Sequence, residues 1–134
     1  MMMVKYTFKK AERLHSKKLI DKLFGKGNRV LSQFPFRILW VLESDLDLPQ
    51  PAQFLVAVPK KNFKKTVQRN RIKRQIRELY RSHKHSLYQS LTQNHKQLLI
   101  GVIYSSNTAL AFDELNLKFE LALKKLIKEI EKTA

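Results

Sequence analysis

Between residues 60 and 85 the chain carries Lys60, Lys61, Lys64, Lys65, Arg69, Arg71, Lys73, Arg74, Arg77, Arg81 and Lys84 against one acid, Glu78. Guanidinium groups match phosphate oxygens in a bidentate fork, and ammonium groups supply mobile point charge. The chemistry these residues offer is the binding of a polyanion. A solvated helix face normally mixes charge signs. This block does not, and crowding like charges on one helix lowers its stability, so a partner of opposite charge is expected. Asn70 adds a donor and an acceptor suited to a base edge, a ribose hydroxyl or a phosphate.

The element that must carry these groups is a helix over 66–82. At about 100° per residue, Ile72, Ile76, Leu79 and Tyr80 form a docking face. Lys73, Arg77, Asn70, Arg81 and Arg74 follow around the adjoining arc, and Arg71 falls on the opposite flank. Thr66 is the expected N-cap, and an extension of the helix toward Leu91 is open.

The rest of the composition agrees with a polyanion binder. The chain has 134 residues, 27 Lys and Arg against 11 Asp and Glu, and a formal charge of +16. Its length suits a single domain, 1–134, with a real core. Residues 1–9 and 131–134 are expected to be loosely held. So large an excess makes a neutral, self-sufficient enzyme of small metabolites a poor expectation. The absence of cysteine excludes disulfide scaffolds, zinc knuckles and thiol chemistry. No apolar run reaches membrane-span length, so a cytoplasmic protein without a membrane partner is expected.

Around the basic helix the pattern runs helix, strands, helix, strand, helix. Residues 16–24 read as a short amphipathic helix with Ser16 as N-cap and Gly25 and Gly27 ending it. Residues 29–42 are β-type, as one strand or a pair, with Pro35 at an edge or bulge. An alternating face there joins Phe34, Phe36, Ile38, Trp40 and Leu42. Residues 52–58 and 97–104 are further strands. Residues 111–131 form an amphipathic helix with Phe112, Leu115, Phe119, Leu123, Leu126 and Ile130 on one face. The class is α+β, with helices packed on one sheet.

Arg69-Asn70-Arg71-Ile72-Lys73-Arg74, followed by Ile76-Arg77-Glu78 and Arg81, resembles the signature of the bacterial ribonuclease P protein subunit. Val56-Ala57-Val58-Pro59-Lys60-Lys61 resembles that family's strand ending in a Lys pair. Arg13-Leu14, Phe24 and Gly27 resemble its first helix and glycine turn. The likeness spans roughly residues 10–131. Many members place a glycine after the Lys pair, where this chain has Asn62-Phe63-Lys64-Lys65.

The resemblance implies an αβββαβα two-layer sandwich like domain 2 of ribosomal protein S5, with a left-handed βαβ crossover. It implies a non-catalytic subunit of an endoribonuclease, in which a partner RNA carries the chemistry. The partners would be ribonuclease P RNA and precursor tRNA, whose 5′ leader is removed to give the mature tRNA end. Mg²⁺ would be held mainly by RNA and substrate phosphates, and no protein oligomer would be required.

On this reading Arg69, Asn70, Arg71, Lys73, Arg74, Arg77 and Arg81 bind the catalytic RNA. Phe24, Phe36, Lys60 and Lys61 are the leader candidates, although burial is at least as expected for the two Phe rings. No catalytic set and no protein metal site can be nominated. Asp45 and Asp47 sit two apart in a Pro-rich loop and lack further oxygen ligands. His83 and His85 lack a third ligand. A ribosomal or ribosome-assembly RNA binder is the alternative. A DNA-binding regulator ranks lower, because a strand and not a helix precedes the basic helix.

Overall fold

The computed structural model describes residues 8–133. Expectations for residues 1–7 and Ala134 lie outside that range. Four strands, β1 (Arg29–Gln33), β2 (Phe36–Glu43), β3 (Ala52–Ala57) and β4 (Gln97–Tyr104), form one sheet in the order β1-β2-β4-β3. Three α-helices accompany it: α1 (Lys17–Leu23), α2 (Thr66–Gln93) and α3 (Phe112–Thr133). The β-type run of 29–42 is a hairpin, turning at Phe34-Pro35 and pairing Gln33 with Phe36 through Arg29 with Trp40. β2 and β4 are antiparallel, whereas β3 and β4 are parallel and joined by α2.

Strand alternation sends successive side chains to opposite faces, and both faces here are covered. Phe36, Ile38, Trp40, Leu98, Ile100, Val102 and Tyr104 pack against Ile72, Ile76 and Leu79 of α2 and Phe119, Leu123 and Leu126 of α3. The other face carries Leu39, Val41 and Leu99, which pack with Leu14 and with Leu23 of α1. Gly101 lets α1 seat there, since a Cβ on it would lie 2.8 Å from the Leu23 Cδ2.

The helix ends follow local chemistry. The Ser16 hydroxyl accepts from the Leu19 N–H at 3.5 Å, and α1 stops at Leu23 with Phe24 as its C-cap. No described glycine takes a positive φ, so Gly25 and Gly27 end the helix without a left-handed cap. α2 is longer than its amphipathic start suggested. It continues to Gln93 because Leu87 and Leu91 extend the buried stripe. His95, at φ 54°, then turns the chain back, with its N–H on the Thr92 carbonyl and the Lys96 N–H on the Leu91 carbonyl.

α3 extends through Thr133. Two expectations are corrected. The N-cap of α2 is Lys65, and Thr66 is its first helical residue. Phe34 sits in the hairpin turn, 60% exposed, and does not join the Phe36 face.

Candidate nucleic-acid interface

The connection 59–65 delivers the chain from the β3 end into α2. The Asn62 and Phe63 N–H groups bond the Pro59 carbonyl, and the buried Phe63 ring rests 5.9 Å from that of Tyr104. Arg69 closes the connection from above. One guanidinium nitrogen donates to the Phe63 carbonyl at 2.8 Å and the Lys64 carbonyl at 2.9 Å, and the other to the Thr66 hydroxyl at 3.1 Å. A residue expected to grip phosphate is thus engaged in holding the backbone that presents the neighbouring cations. Lys60, Lys61, Lys64 and Lys65 are exposed around it.

Farther along α2, Asn70, Arg71, Arg74 and Arg77 are exposed and Lys73 is half-buried. Arg71 lines an open groove of about 410 Å³ with Phe63, Gln68, Gln75, Leu110 and Ala111, between α2 and the connection leading into α3. Arg81 is placed differently. Its Nε donates to Glu78 at 3.0 Å, and a second guanidinium nitrogen reaches the other carboxylate oxygen. That bond holds the Glu78 carboxyl below its ordinary range and raises Arg81 above its own. The one acid of the basic block is therefore committed to Arg81.

Sequence reasoning missed the N-terminal strap, residues 8–14, which crosses the β3 edge onto α2. Arg13 bridges to Phe54 of β3, and the Leu14 N–H bonds the Phe54 carbonyl at 2.9 Å. Glu12 is buried and pairs with the equally buried Lys84, while the Tyr88 hydroxyl donates to it at 2.9 Å. Its second oxygen takes the Lys9 N–H at 2.6 Å. Burial works to raise the Glu12 pKa, but the bonds from Lys84, the Lys9 N–H and Tyr88 outweigh it and hold the carboxyl below its ordinary range. Burial also keeps the Tyr80 and Tyr88 hydroxyls protonated well above the usual phenol range. Tyr80 meets Phe8 edge-on, and Phe8 underlies the Arg13 guanidinium at 5.4 Å. No sequence pattern flags a Glu12–Lys84 contact across so much of the chain.

The leader candidates separate. Phe24 is 47% exposed at the end of α1, while Phe36 is 1% exposed on the opposite face of the sheet. The Phe36 ring sits edge-on to Phe119 at 5.4 Å and to Tyr104 at 6.3 Å. Phe36 is a core residue, so it and Phe24 do not line one groove. Alternation instead puts Arg37 on the α1 face, where it is exposed and pairs across to Ser32 and Ile103. Ala57, two residues before Pro59, also pairs with Ile103, so Lys60 and Lys61 follow from the same rim of the sheet. The period-2 pattern of β2 was the available signal for Arg37.

The carboxylates do not suit a protein-held Mg²⁺. Among the described residues no three His, Asp or Glu side chains converge. Asp45 and Asp47 are exposed on their loop, and His83 is bonded to Asn116 at 2.6 Å. No described helix is long and apolar enough to cross a membrane.

A sequence model of the ribonuclease P family matches residues 8–130. The chain belongs to the ribonuclease P protein family. The ribonuclease P protein component of Porphyromonas gingivalis is 40% identical over 78 residues, covering 58% of this chain and 56% of that protein. The chain thus aligns with little more than half the length of the curated relatives it matches. Among solved structures, a mutant ribonuclease P protein of Staphylococcus aureus superposes with a TM-score of 0.67 at 23% identity, covering 87% of this chain and 89% of the other. The ribonuclease P protein of Thermotoga maritima gives 0.60 at 23% identity, covering 88% and 96%. At those identities the structural likeness establishes the shared fold, a four-stranded mixed sheet with helices packed on it.

Proposed function

We propose that this chain is the protein subunit of ribonuclease P. It binds the catalytic RNA through the exposed first half of α2, and the 5′ leader of precursor tRNA along the α1 face of the sheet. The observation that carries this is where the counter-charge goes. Glu78 is committed to Arg81 and Glu12 to Lys84, while Asn70, Arg71, Arg74 and Arg77 stand exposed on one rigid helix. A rigid cationic face beside its own hydrophobic anchor neutralises phosphates without prior ordering cost.

The cleavage chemistry belongs to the RNA and to divalent metal held on its phosphates. The protein eases the approach of two polyanions. Arg69 keeps the 59–65 connection in place beside Lys60 and Lys61. Phe24, with Arg37 beside the same face, offers the leader a stacking ring and a cation. Stacking on an aromatic ring tolerates any base, which suits leaders of varied sequence.

The test is to add purified protein to a ribonuclease P RNA and precursor tRNA at low Mg²⁺. Stimulated release of the 5′ leader is the expected result. Stable association with ribosomal RNA without stimulation would instead favour a ribosome-assembly role.

A further inference from the structure

α2 presents a second, unassigned cation to its RNA face, and that cation comes from another element. Residues 77, 80, 84 and 88 lie three or four apart and form one stripe of the helix. Every lower member of the stripe meets the strap: Tyr80 meets Phe8, while Lys84 and Tyr88 meet Glu12. The Arg13 guanidinium reaches back over the Phe8 ring at 5.4 Å, and that ring packs 5.7 Å from Tyr80, the stripe residue next to Arg77, so both guanidiniums lie at that end of the stripe. The strap is fixed at that height by the Arg13 bridge to Phe54 and by Gln53, whose amide donates to the Ala11 carbonyl at 3.2 Å.

Neither arginine has a carboxylate partner among the described residues, and the strap's own acid is taken by Lys84. Arg13 lies over the Phe8 ring, which restricts its guanidinium without neutralising it. Arg77 is depressed below its ordinary value by partial desolvation and then by the nearby charge of Arg13. Holding like charges together in the free protein is unfavourable, and an anion between them reverses the sign of that interaction.

We propose that Arg13 and Arg77 form a two-guanidinium site for a single RNA phosphodiester, with the buried Glu12–Lys84 pair as the device that positions Arg13. This deepens the proposed RNA-binding role and rests on it. The phosphodiester can come from the catalytic RNA or from precursor tRNA, and the two sources separate experimentally.

The experiment measures Arg13→Ala, Arg77→Ala and the double variant in two arms, with Arg74→Ala as reference. One arm is affinity for ribonuclease P RNA as a function of salt. The other is affinity of the assembled holoenzyme for precursor tRNA. Each single variant should lose about tenfold in one arm, which names the source, since one charge-assisted contact is worth about that factor. The double variant should lose clearly less than the product of the singles. Its log–log salt slope should fall by about 0.7–0.9, the value for one phosphate.

A Glu12→Gln/Lys84→Met variant should weaken RNA binding in the parent but not in an Arg13→Ala background. A merely structural pair would lower affinity equally in both. Losses that multiply would place the arginines on separate phosphates and overturn the shared site. Unchanged binding by Arg13→Ala in both arms, with Arg74→Ala impaired, would overturn it and leave the general RNA-binding role standing. If Arg74→Ala and Arg13→Ala both bind as the parent does, the proposed function itself fails.

Discussion

The two halves of α2 carry the same kinds of cation in opposite circumstances. In the first half Arg71, Arg74 and Arg77 are exposed with no acid assigned to them, and Asn70 stands among them. In the second half Arg81 is paired with Glu78, and Lys84 is buried against Glu12 at 4% exposure for each side chain. The desolvation of Lys84 and Glu12 is offset by their pairing, with Tyr88 and a backbone N–H completing the carboxylate's bonds. The difference teaches that a run of basic residues does not by itself delimit a binding surface. A cation serves an external phosphate when the fold withholds a counter-charge from it, and serves the fold when one is supplied.

The sharpest break of this contrast is in the second half. Glu12→Ala removes the carboxylate from a buried ammonium and should cost about 3–5 kcal/mol in urea unfolding. The loss should be pH-dependent. Because the folded Glu12 carboxyl sits below its ordinary range, its contribution is complete above the unfolded-state pKa. It disappears as pH falls through the folded-state value, so parent and variant stabilities should converge in acid. Phe36→Ala should cost a similar about 3–5 kcal/mol as a core truncation. Its RNA affinity should survive wherever the fold does, which a leader-stacking ring would not allow.

In the first half the effects should reverse in kind. Removing Arg71, Lys73 and Arg74 together should leave the unfolding midpoint nearly unchanged. The log–log salt slope for ribonuclease P RNA binding should shrink by about 0.7–0.9 per phosphate lost. Phe24→Ala should leave stability nearly intact and reduce affinity for leader-bearing precursor tRNA by about 1–3 kcal/mol, with leaderless tRNA unaffected. Arg81→Ala should be the mildest, changing RNA affinity less than threefold, a factor of about 0.7 kcal/mol. An Arg81 effect as large as that of Arg74 would erase the distinction between the two halves.

Much of this was legible in the chain. Periodicity located α2, β4 and α3, and the string Arg69-Asn70-Arg71-Ile72-Lys73-Arg74 carried the family. Strand alternation already held the separation of Phe36 from Arg37, but not which face the first helix would cover. That choice depends on Gly101 leaving room for Leu23. Arg69 could not be told from Arg74 by type or spacing. Its clasp on the Phe63 and Lys64 carbonyls depends on the path of a connection that turns on itself.

The sequence by itself determined the chemistry on offer: an unbalanced positive charge, a helix to hold it, and a set of apolar faces to anchor that helix. These follow from local period and composition, which need no knowledge of distant contacts. Only the tertiary structure decided which cations remain for a partner, because neutralisation falls off over a few ångströms. The acid that takes Lys84 arrives from the far end of the chain.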